Sequence, residues 1–144
     1  MTSNARNSMI LGFDPGRDKC GIAIMGREGQ PQYHQVVSSQ TAIARIKDLC
    51  RQYSLERVVM GDRTTAKSWK AKIESQLPQN VPVVFVDEHN SSLEARDRYW
   101  QMYPPQGLTR LIPRGMRLPP RPVDDIVAIL LIERYLTGES SDRG

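Results

Sequence analysis

Two short apolar runs around a polar, glycine-bearing turn constrain this chain more than any other feature. They occupy residues 9–25, and the turn between them reads Asp-Pro-Gly-Arg-Asp-Lys. The pattern predicts a β-hairpin with one acidic residue, Asp14, at the end of its first strand. A carboxylate there lies at the edge of the sheet, where a ligand or substrate can contact it. In the alternative interpretation Asp14 only begins the turn, as Asp often does before Pro-Gly.

The chain after the hairpin predicts a mixed α/β sheet. Residues 33–38 predict a third antiparallel strand, and residues 57–61 and 82–86 predict two more, the last of them buried on both faces. Amphipathic helices are expected at 41–53 and 65–77. Strands joined through helices of this length usually lie parallel, with right-handed crossovers. We therefore expect five strands, three antiparallel and then two parallel, flanked by helices.

Two further helices and a loop complete the single domain expected over residues 1–144. One helix should run from Ser91 or Ser92, either of which can cap it, to about residue 103, with Leu93 among its packing residues. The other, at 123–136, is apolar almost all round and should be buried against the sheet. Six prolines at 104–122 are expected to exclude regular structure between these helices. Ser39 or Thr41 is expected to cap the first helix, and residues 1–8 and 138–144 should be flexible tails.

Composition excludes several classes of protein. The longest uninterrupted apolar run, residues 126–132, is far too short to span a bilayer, and the first eight residues contain no apolar signal core. We therefore expect a cytoplasmic protein with no membrane partner. The two cysteines, Cys20 and Cys50, match no metal-binding spacing and are expected to be reduced and structural.

Carboxylates stand at three predicted element ends. They are Asp14, then Asp87 and Glu88 after the last strand, and Asp124 and Asp125 at the start of the closing helix. Two unit charges about 4 Å apart repel by roughly 4 kcal/mol at an effective dielectric near 20, so a cluster would need a cation or would hold a proton. Oxygen ligands alone suit Mg²⁺ or Mn²⁺. Alternatively, Asp124 caps its helix, the Asp-Glu pair is a solvated strand end, and no cluster forms.

Three stretches resemble the signature blocks of one family. Residues 9–25, 86–95 and 123–136 are similar, in order and spacing, to the blocks of the bacterial YqgF-type nucleases, a family also described as pre-16S rRNA nucleases or as Holliday-junction-resolvase-like. The resemblance implies a ribonuclease H-like three-layer fold. It also implies that Asp14, Glu88 and Asp124 are the catalytic, metal-binding acids, in preference to Asp87 and Asp125.

The chain departs from the family pattern in three places. His89 and the pair Ser91-Ser92 stand where the family has an arginine and paired threonines. Residues 61–64 read Gly-Asp-Arg-Thr, without the usual proline and polar pattern. The Pro/Arg-rich loop at 104–122 is also longer than expected. These differences affect the residues expected to contact the substrate more than the acids expected to bind metal, so they bear first on which substrate is bound.

The leading hypothesis is metal-dependent phosphodiester hydrolysis by a two-metal endonuclease or exonuclease. Asp14 would hold both Mg²⁺ or Mn²⁺ ions, and Glu88 and Asp124 would each complete one coordination sphere. The substrate would be structured RNA such as precursor rRNA, or branched DNA of the Holliday-junction type, and a homodimer would suit cleavage of both junction strands. One alternative is an inactive nucleic-acid-binding module with the same fold. Another is a relative of the actin-like ATPases, although those need two such domains.

Basic residues are the candidate phosphate contacts. The chain has a net charge of +4, and residues 104–122 contain four arginines and no Asp, Glu or Lys, so the other 16 basic residues balance all 16 acidic ones. Phosphate contacts dominate the affinity of proteins for nucleic acid, although a solvated surface role is the alternative for each residue. Trp69 or Trp100 could stack on a base or pack in the core, and His89 could assist a proton transfer. The nucleic-acid-binding candidates are Arg17, Lys19, Lys67, Lys70, Arg110, Arg114, Arg117 and Arg121.

Overall fold

The computed structural model describes residues 8–138. Residues 1–7 and 139–144, which make up most of the two expected tails, lie outside the described residues. Ser8 belongs to the first strand. The strands are β1 (Ser8–Asp14), β2 (Lys19–Gly26), β3 (Pro31–Ser38), β4 (Ser54–Gly61) and β5 (Val83–Val86). The α-helices of the described chain are α1 (Ala42–Gln52), α2 (Ala66–Gln76), α3 (Ser91–Met102) and α4 (Asp124–Leu136).

The five strands form one mixed sheet in the order β3-β2-β1-β4-β5. β2 pairs antiparallel with both β1 and β3, whereas β4 pairs parallel with both β1 and β5. This arrangement confirms the sheet that the sequence predicts. β1 is the central strand, so Asp14 at its carboxyl end has a neighbouring strand on each side.

Helices cover both faces of the sheet and give it three layers. Leu11 and Phe13 of β1 belong to the core under α1 and α2, whereas Ile10 belongs to the core under α3 and α4. The alternation follows from the two-residue period of a strand. As the sequence predicts, α4 is deeply buried, and every residue from Asp125 to Ile132 is in the buried class.

Glycines allow α4 to lie directly on the sheet. A Cβ atom at Gly12 would overlap the carbonyl oxygen of Ala128, and a Cβ atom at Gly21 would overlap the carbonyl group of Asp124. Only residues without a side chain fit at such an approach of two backbones. The two contacts bring the first turn of α4 to the edge of the sheet where β1 ends.

Several local expectations are wrong. α3 begins after Asn90, which adopts a left-handed conformation with φ of 59°, so neither Ser91 nor Ser92 is its cap. Thr41 precedes α1 but its side chain makes no capping hydrogen bond, and Leu93 is 60% exposed. β5 is an edge strand, so its two middle residues are only half-buried rather than enclosed on both faces.

The Pro/Arg-rich loop contains more regular structure than expected. Two short 3₁₀ helices, Gly107–Leu111 and Arg114–Met116, lie within residues 104–122. A 3₁₀ turn needs only three or four residues. It therefore fits between prolines where an α-helix would not.

Candidate active site

The site is centred on Asp14 at the carboxyl end of β1. Gly12, two residues earlier, faces α4, so the alternation of the strand places Asp14 on that same face. Gly21 of β2 is the register partner of Asp14, and Gly61 of β4 follows Met60, the register partner of Phe13. Two glycines therefore flank Asp14. Because they have no side chains, other groups can pack against the sheet on the face that Asp14 shares with α4.

The other two predicted acids lie over these glycines. The backbone of Asp124 lies over Gly21, and the carboxylate of Glu88 lies over Gly61, where a Cβ atom would overlap Glu88 Oε1. The first turn of α4 and the loop after β5 thus converge on the end of β1. Asp14, Glu88 and Asp124, the acids predicted from the sequence, therefore lie at the same edge of the sheet.

Asp14 and Asp124 form a carboxylate pair. The two carboxyl groups lie close enough for each to act on the pKa of the other. Burial, followed by the negative charge of Asp124, raises the pKa of Asp14 to about 7, against a smaller opposing effect of the Arg63 guanidinium. Burial also raises the pKa of Asp124, and the charge of Asp125 adds to the effect. Protonation, one of the two outcomes expected for converging carboxylates, is therefore favoured at this pair.

Glu88 is paired with an arginine. Its side chain is 8% exposed, and the Nε atom of Arg63, a side chain that is 63% exposed, forms an ion pair with its Oε2 atom. The contact does not have hydrogen-bond geometry, so Oε2 is a buried oxygen with no hydrogen-bond partner in the described chain. Arg63 also lies close enough to Asp14 to lower its pKa.

Arg134 positions the loop that carries Glu88. From the last turns of α4 its guanidinium donates hydrogen bonds of 2.7 Å to the carbonyl oxygens of Asp87 and His89, the residues on either side of Glu88. The amide of Ser91 donates to the carbonyl oxygen of Glu88 at 3.0 Å. α4 thus supplies one acid from its first turn and fixes the loop of another from its last turns.

The residues fit a hard divalent cation, although they do not form a closed ligand set. Within residues 8–138, no group of three His, Cys, Asp or Glu side chains stands close enough together to hold a metal ion. The Asp14 carboxyl has a raised pKa next to Asp124, and the Arg63 guanidinium is paired with Glu88. A divalent cation would compensate the charge of the same carboxylates, and Glu88 Oε2, which is buried and has an ion pair but no hydrogen bond within the described chain, is a suitable ligand atom for Mg²⁺ or Mn²⁺.

The neighbouring acids have other structural roles. Asp125 is 2% exposed, and its two carboxylate oxygens bind His34 Nδ1 at 2.7 Å and Arg121 Nη1 at 3.0 Å. Its Oδ1 atom also accepts the amide of Ile126. Asp87 is exposed and accepts the backbone amide of His89 at 3.0 Å in a local turn. Both arrangements favour Asp124 and Glu88 as the acids that remain for chemistry.

A basic cleft lies at the β1–β2 turn that follows Asp14, on the side of the sheet where α1 and α2 pack, and Asp14 itself does not line it. Pro15, Gly16 and Arg17 line one wall, and the opposite wall carries Arg63 and Lys72. The indole of Trp69 also lines it, in edge contact with Phe13 and with Lys72 Nζ 5.2 Å from its ring centre. The other lining residues are Ser39, Gln40, Thr64 and Thr65.

Sequence reasoning missed Arg63 and Lys72. The signal for Arg63 was its place two residues after the glycine that ends a parallel strand, since ligands of α/β sheets bind at the carboxyl ends of strands. Lys72 lies on α2, one turn after Trp69. No pattern in the sequence indicates that this turn faces the cleft.

The other predicted basic residues are dispersed. Lys19 lies close enough to Asp124 to lower its pKa. Lys67 is exposed on α2, and Lys70 places its ammonium 5.1 Å from the ring centre of Phe85, which packs in the core under α1 and α2, on the face away from Asp14. The structure therefore assembles Arg17 and Lys19 near the acids and leaves Lys70 apart.

Three of the four loop arginines have partners inside the fold. Arg121 binds Asp125 and lies over the rings of two tyrosines, Tyr99 and Tyr103. Arg117 donates to the carbonyl oxygens of Ile112 and Arg110, and Arg114 pairs with Asp97 at 3.3 Å. Arg110 is exposed. Most of the concentrated positive charge is thus bound to groups of the chain itself.

The remaining candidates are placed as follows. Trp100 packs edge-on against Tyr99, away from the cleft, whereas Trp69 is half-buried at its wall. His89 is exposed beside Glu88. Cys20 is buried and Cys50 is half-buried, both as free thiols, in agreement with structural roles. None of the described helices is long and apolar enough to cross a membrane.

Comparison with known proteins identifies relatives. A family model described as "RuvX: Holliday junction resolvase" matches residues 8–138. A curated protein of Sulfurihydrogenibium sp. (strain YO3AOP1), named "Putative pre-16S rRNA nuclease", is 21% identical over 142 residues, which cover 90% of each chain.

Two solved structures share the fold. One is Thermus thermophilus RuvC in complex with a Holliday junction substrate, with a TM-score of 0.58 and 17% identity. The other is T. thermophilus RuvC, with a TM-score of 0.57 and 15% identity. Each match covers 92% of this chain and 98% of the other. The likeness confirms the predicted ribonuclease H-like fold.

Proposed function

The chain belongs to the RuvX family of Holliday junction resolvases, and from this premise we propose that it is a divalent-cation-dependent nuclease acting on structured nucleic acid. The observation that carries the proposal is the convergence of Asp14, Asp124 and Glu88 at one edge of the sheet, where burial and the neighbouring charge raise the pKa of Asp14 to about 7. A group of acids that must be neutralised, at the end of a central strand and next to a basic cleft, suits phosphodiester chemistry.

Asp14, Glu88 and Asp124 would hold Mg²⁺ or Mn²⁺ in this proposal. Cations bound there would supply an activated water and charge stabilisation at the leaving oxygen. Asp14 is central because Asp124 packs over Gly21 on one side of it and Glu88 packs over Gly61 on the other. Arg134 keeps Glu88 in place through the backbone of its loop. Arg17, Arg63 and Lys72 would grip the phosphates of the strand that leads to the acids.

The substrate is proposed as structured nucleic acid, with branched DNA and precursor rRNA as its two forms. The family description names a Holliday junction resolvase, whereas the curated relative is named for pre-16S rRNA. The same acids can serve either backbone, because the reacting group is a phosphodiester in both. A homodimer would suit a junction, since two strands must then be cut, and light scattering with and without junction DNA would detect it.

The test is a cleavage assay with Mn²⁺ on a four-way DNA junction and on a structured rRNA precursor. We expect the wild type to cleave at least one of them, and the product ends to distinguish endonuclease from exonuclease action. Asp14→Asn should lower the rate by at least about a hundredfold while nucleic-acid binding persists. Asp87→Asn is the matched control; this variant should cleave normally, because Asp87 is an exposed acid in a local turn beside Glu88. Equal rates for wild type and Asp14→Asn would refute the metal-site proposal.

One observation favours a second candidate function, a nucleic-acid-binding module without turnover. Arg63 pairs with Glu88, one of the three acids that cleavage would need, and no closed metal-ligand set exists among the described residues. Tight junction or RNA binding, with no cleavage of either in Mg²⁺ or Mn²⁺, would support this candidate over the nuclease.

A further inference from the structure

Arg63 stands between the acids and the basic cleft. It forms the ion pair with Glu88, lies near enough to Asp14 to act on its charge, and lines the cleft together with Arg17 and Lys72. A single side chain therefore belongs to both parts of the site.

The two partners of the ion pair differ in burial. The Glu88 side chain is 8% exposed, whereas that of Arg63 is 63% exposed. A buried carboxylate that is separated from its cation carries a large desolvation penalty, whereas an exposed guanidinium is solvated by water when it leaves. Arg63 itself loses little when it moves into solvent, whereas its departure leaves Glu88 in need of another positive charge.

The cleft offers Arg63 another anion. A guanidinium binds phosphate through paired hydrogen bonds, and it does so at least as well as it binds carboxylate. A nucleic-acid strand in the cleft would bring phosphates to a wall that contains Arg63, Thr64 and Thr65. The phosphate and Glu88 would then compete for one arginine.

We propose that Arg63 exchanges Glu88 for a nucleic-acid phosphate, so that strand binding in the cleft frees Glu88 for the divalent cation. The inference rests on the proposed function and adds a regulatory property to it. Arg63 acts as a tethered cation that blocks Glu88 in the free protein. Metal binding and nucleic-acid binding then strengthen each other, by the same factor in both directions.

The test measures this mutual strengthening in the full chain. The affinity for a fluorescently labelled four-way DNA junction is measured by anisotropy in EDTA and in saturating Mn²⁺, at constant ionic strength, with junction integrity checked on a gel. We expect Mn²⁺ to tighten junction binding by the wild type by at least about fivefold. In Arg63→Gln the gain should fall to less than about twofold. Calorimetry with Mn²⁺ alone should show tighter metal binding by Arg63→Gln than by the wild type.

Arg17→Gln is the matched control. It removes the same charge from the same cleft, but Arg17 makes no ion pair with Glu88. It should weaken junction binding in both conditions, keep the gain with Mn²⁺, and leave the Mn²⁺ affinity close to that of the wild type. Equal tightening of Mn²⁺ binding in both variants would show a general charge effect and would overturn the role of Arg63.

The outcomes separate the two proposals. If the wild type binds and cleaves nucleic acid but Arg63→Gln keeps the full gain with Mn²⁺, the exchange is refuted and the nuclease function stands. If the wild type binds neither Mn²⁺ nor the junction, both proposals fail. Circular dichroism of each variant checks that it is folded, which is expected because both substituted side chains are exposed.

Discussion

Asp14 gives the protein an unusual dependence of stability on pH. Its pKa is raised from 3.8 to about 7 in the folded protein, chiefly by burial and then by the charge of Asp124. Between these values the folded state binds the proton more tightly than the unfolded chain does. The free energy of unfolding of the metal-free protein should therefore fall as pH rises through this interval.

Asp14→Asn should remove the part of that decrease that Asp14 causes, because the amide stays neutral at every pH; the raised pKa of Asp124 contributes the part that remains. We expect the variant to be more stable than the wild type at pH 8 in EDTA, by on the order of 2–4 kcal/mol, and nearly equal to it at pH 4. Urea unfolding at the two pH values measures the difference. A stability difference that does not change with pH would contradict the assignment.

Asp124 and Asp125 are adjacent acids with opposite roles. Asp125 is buried and binds His34 and Arg121 across elements, whereas Asp124 faces Asp14 at the sheet edge. Asp125→Ala should lower the free energy of unfolding by about 2–4 kcal/mol, because it leaves two polar groups without their partner. Asp124→Asn should not lower the free energy of unfolding by more than about 1 kcal/mol, because it removes a charge that repels Asp14, and it should abolish cleavage. Chemical denaturation and the cleavage assay together test the pair; similar stability decreases would show that both acids are structural.

At the level of elements, two glycines fix how closely other groups approach the ends of β2 and β4. A Cβ atom at Gly61 would overlap the end of the Glu88 side chain, whereas one at Gly21 would overlap the backbone of Asp124 and Asp125. A side chain can rotate away, but a buried helix backbone must move as a unit. The two positions should therefore respond differently to the same methyl group.

Gly61→Ala is expected to fold and to be impaired in function. It should cost no more than about 1–2 kcal/mol of stability, yet lower Mn²⁺ affinity and cleavage by at least about tenfold, because Glu88 is displaced. Gly21→Ala should cost clearly more stability, since it separates α4 from β2. Thermal unfolding and calorimetry with Mn²⁺ distinguish the two; normal metal affinity in Gly61→Ala would show that Glu88 is not a ligand.

The elements themselves were largely predictable, and the packing between them was not. The apolar alternation of the hairpin and the 3.6-residue period of α1 define these elements within one or two residues, and the helical crossovers indicate that the last two strands are parallel. The close approaches at Gly12, Gly21 and Gly61 depend on register between distant segments, and the positions of glycines in the sequence do not reveal them. The predicted cap of α3 was also wrong. The residue before the helix is Asn90 in a left-handed conformation, and neither of the two serines that follow it is the cap.

For the whole molecule, the sequence showed where the excess positive charge lies but not which groups the arginines bind. Residues 104–122 hold four unopposed arginines in the sequence, yet Arg114, Arg117 and Arg121 are bound to acids, carbonyl groups or aromatic rings of the same chain. The convergence of acidic residues was predictable because strand ends share one sheet edge, whereas the choice of Glu88 over Asp87 and of Asp124 over Asp125 came from the family resemblance. The cleft was not predictable, since it joins the β1–β2 turn to residues of the segment after β4 and of α2.

The salt dependence of nucleic-acid binding should therefore follow the cleft rather than the loop. Removal of one phosphate interaction lowers the slope of log affinity against log salt by roughly 0.7–0.9. Arg17→Gln should reduce the magnitude of the slope by about one, because Arg17 is exposed on the cleft wall, in the turn that follows Asp14. Arg117→Gln, whose guanidinium already binds two carbonyl oxygens of its own loop, should leave the slope unchanged. Anisotropy titrations of a labelled junction at a series of salt concentrations measure both, and the reverse order of effects would move the substrate path from the cleft to the loop.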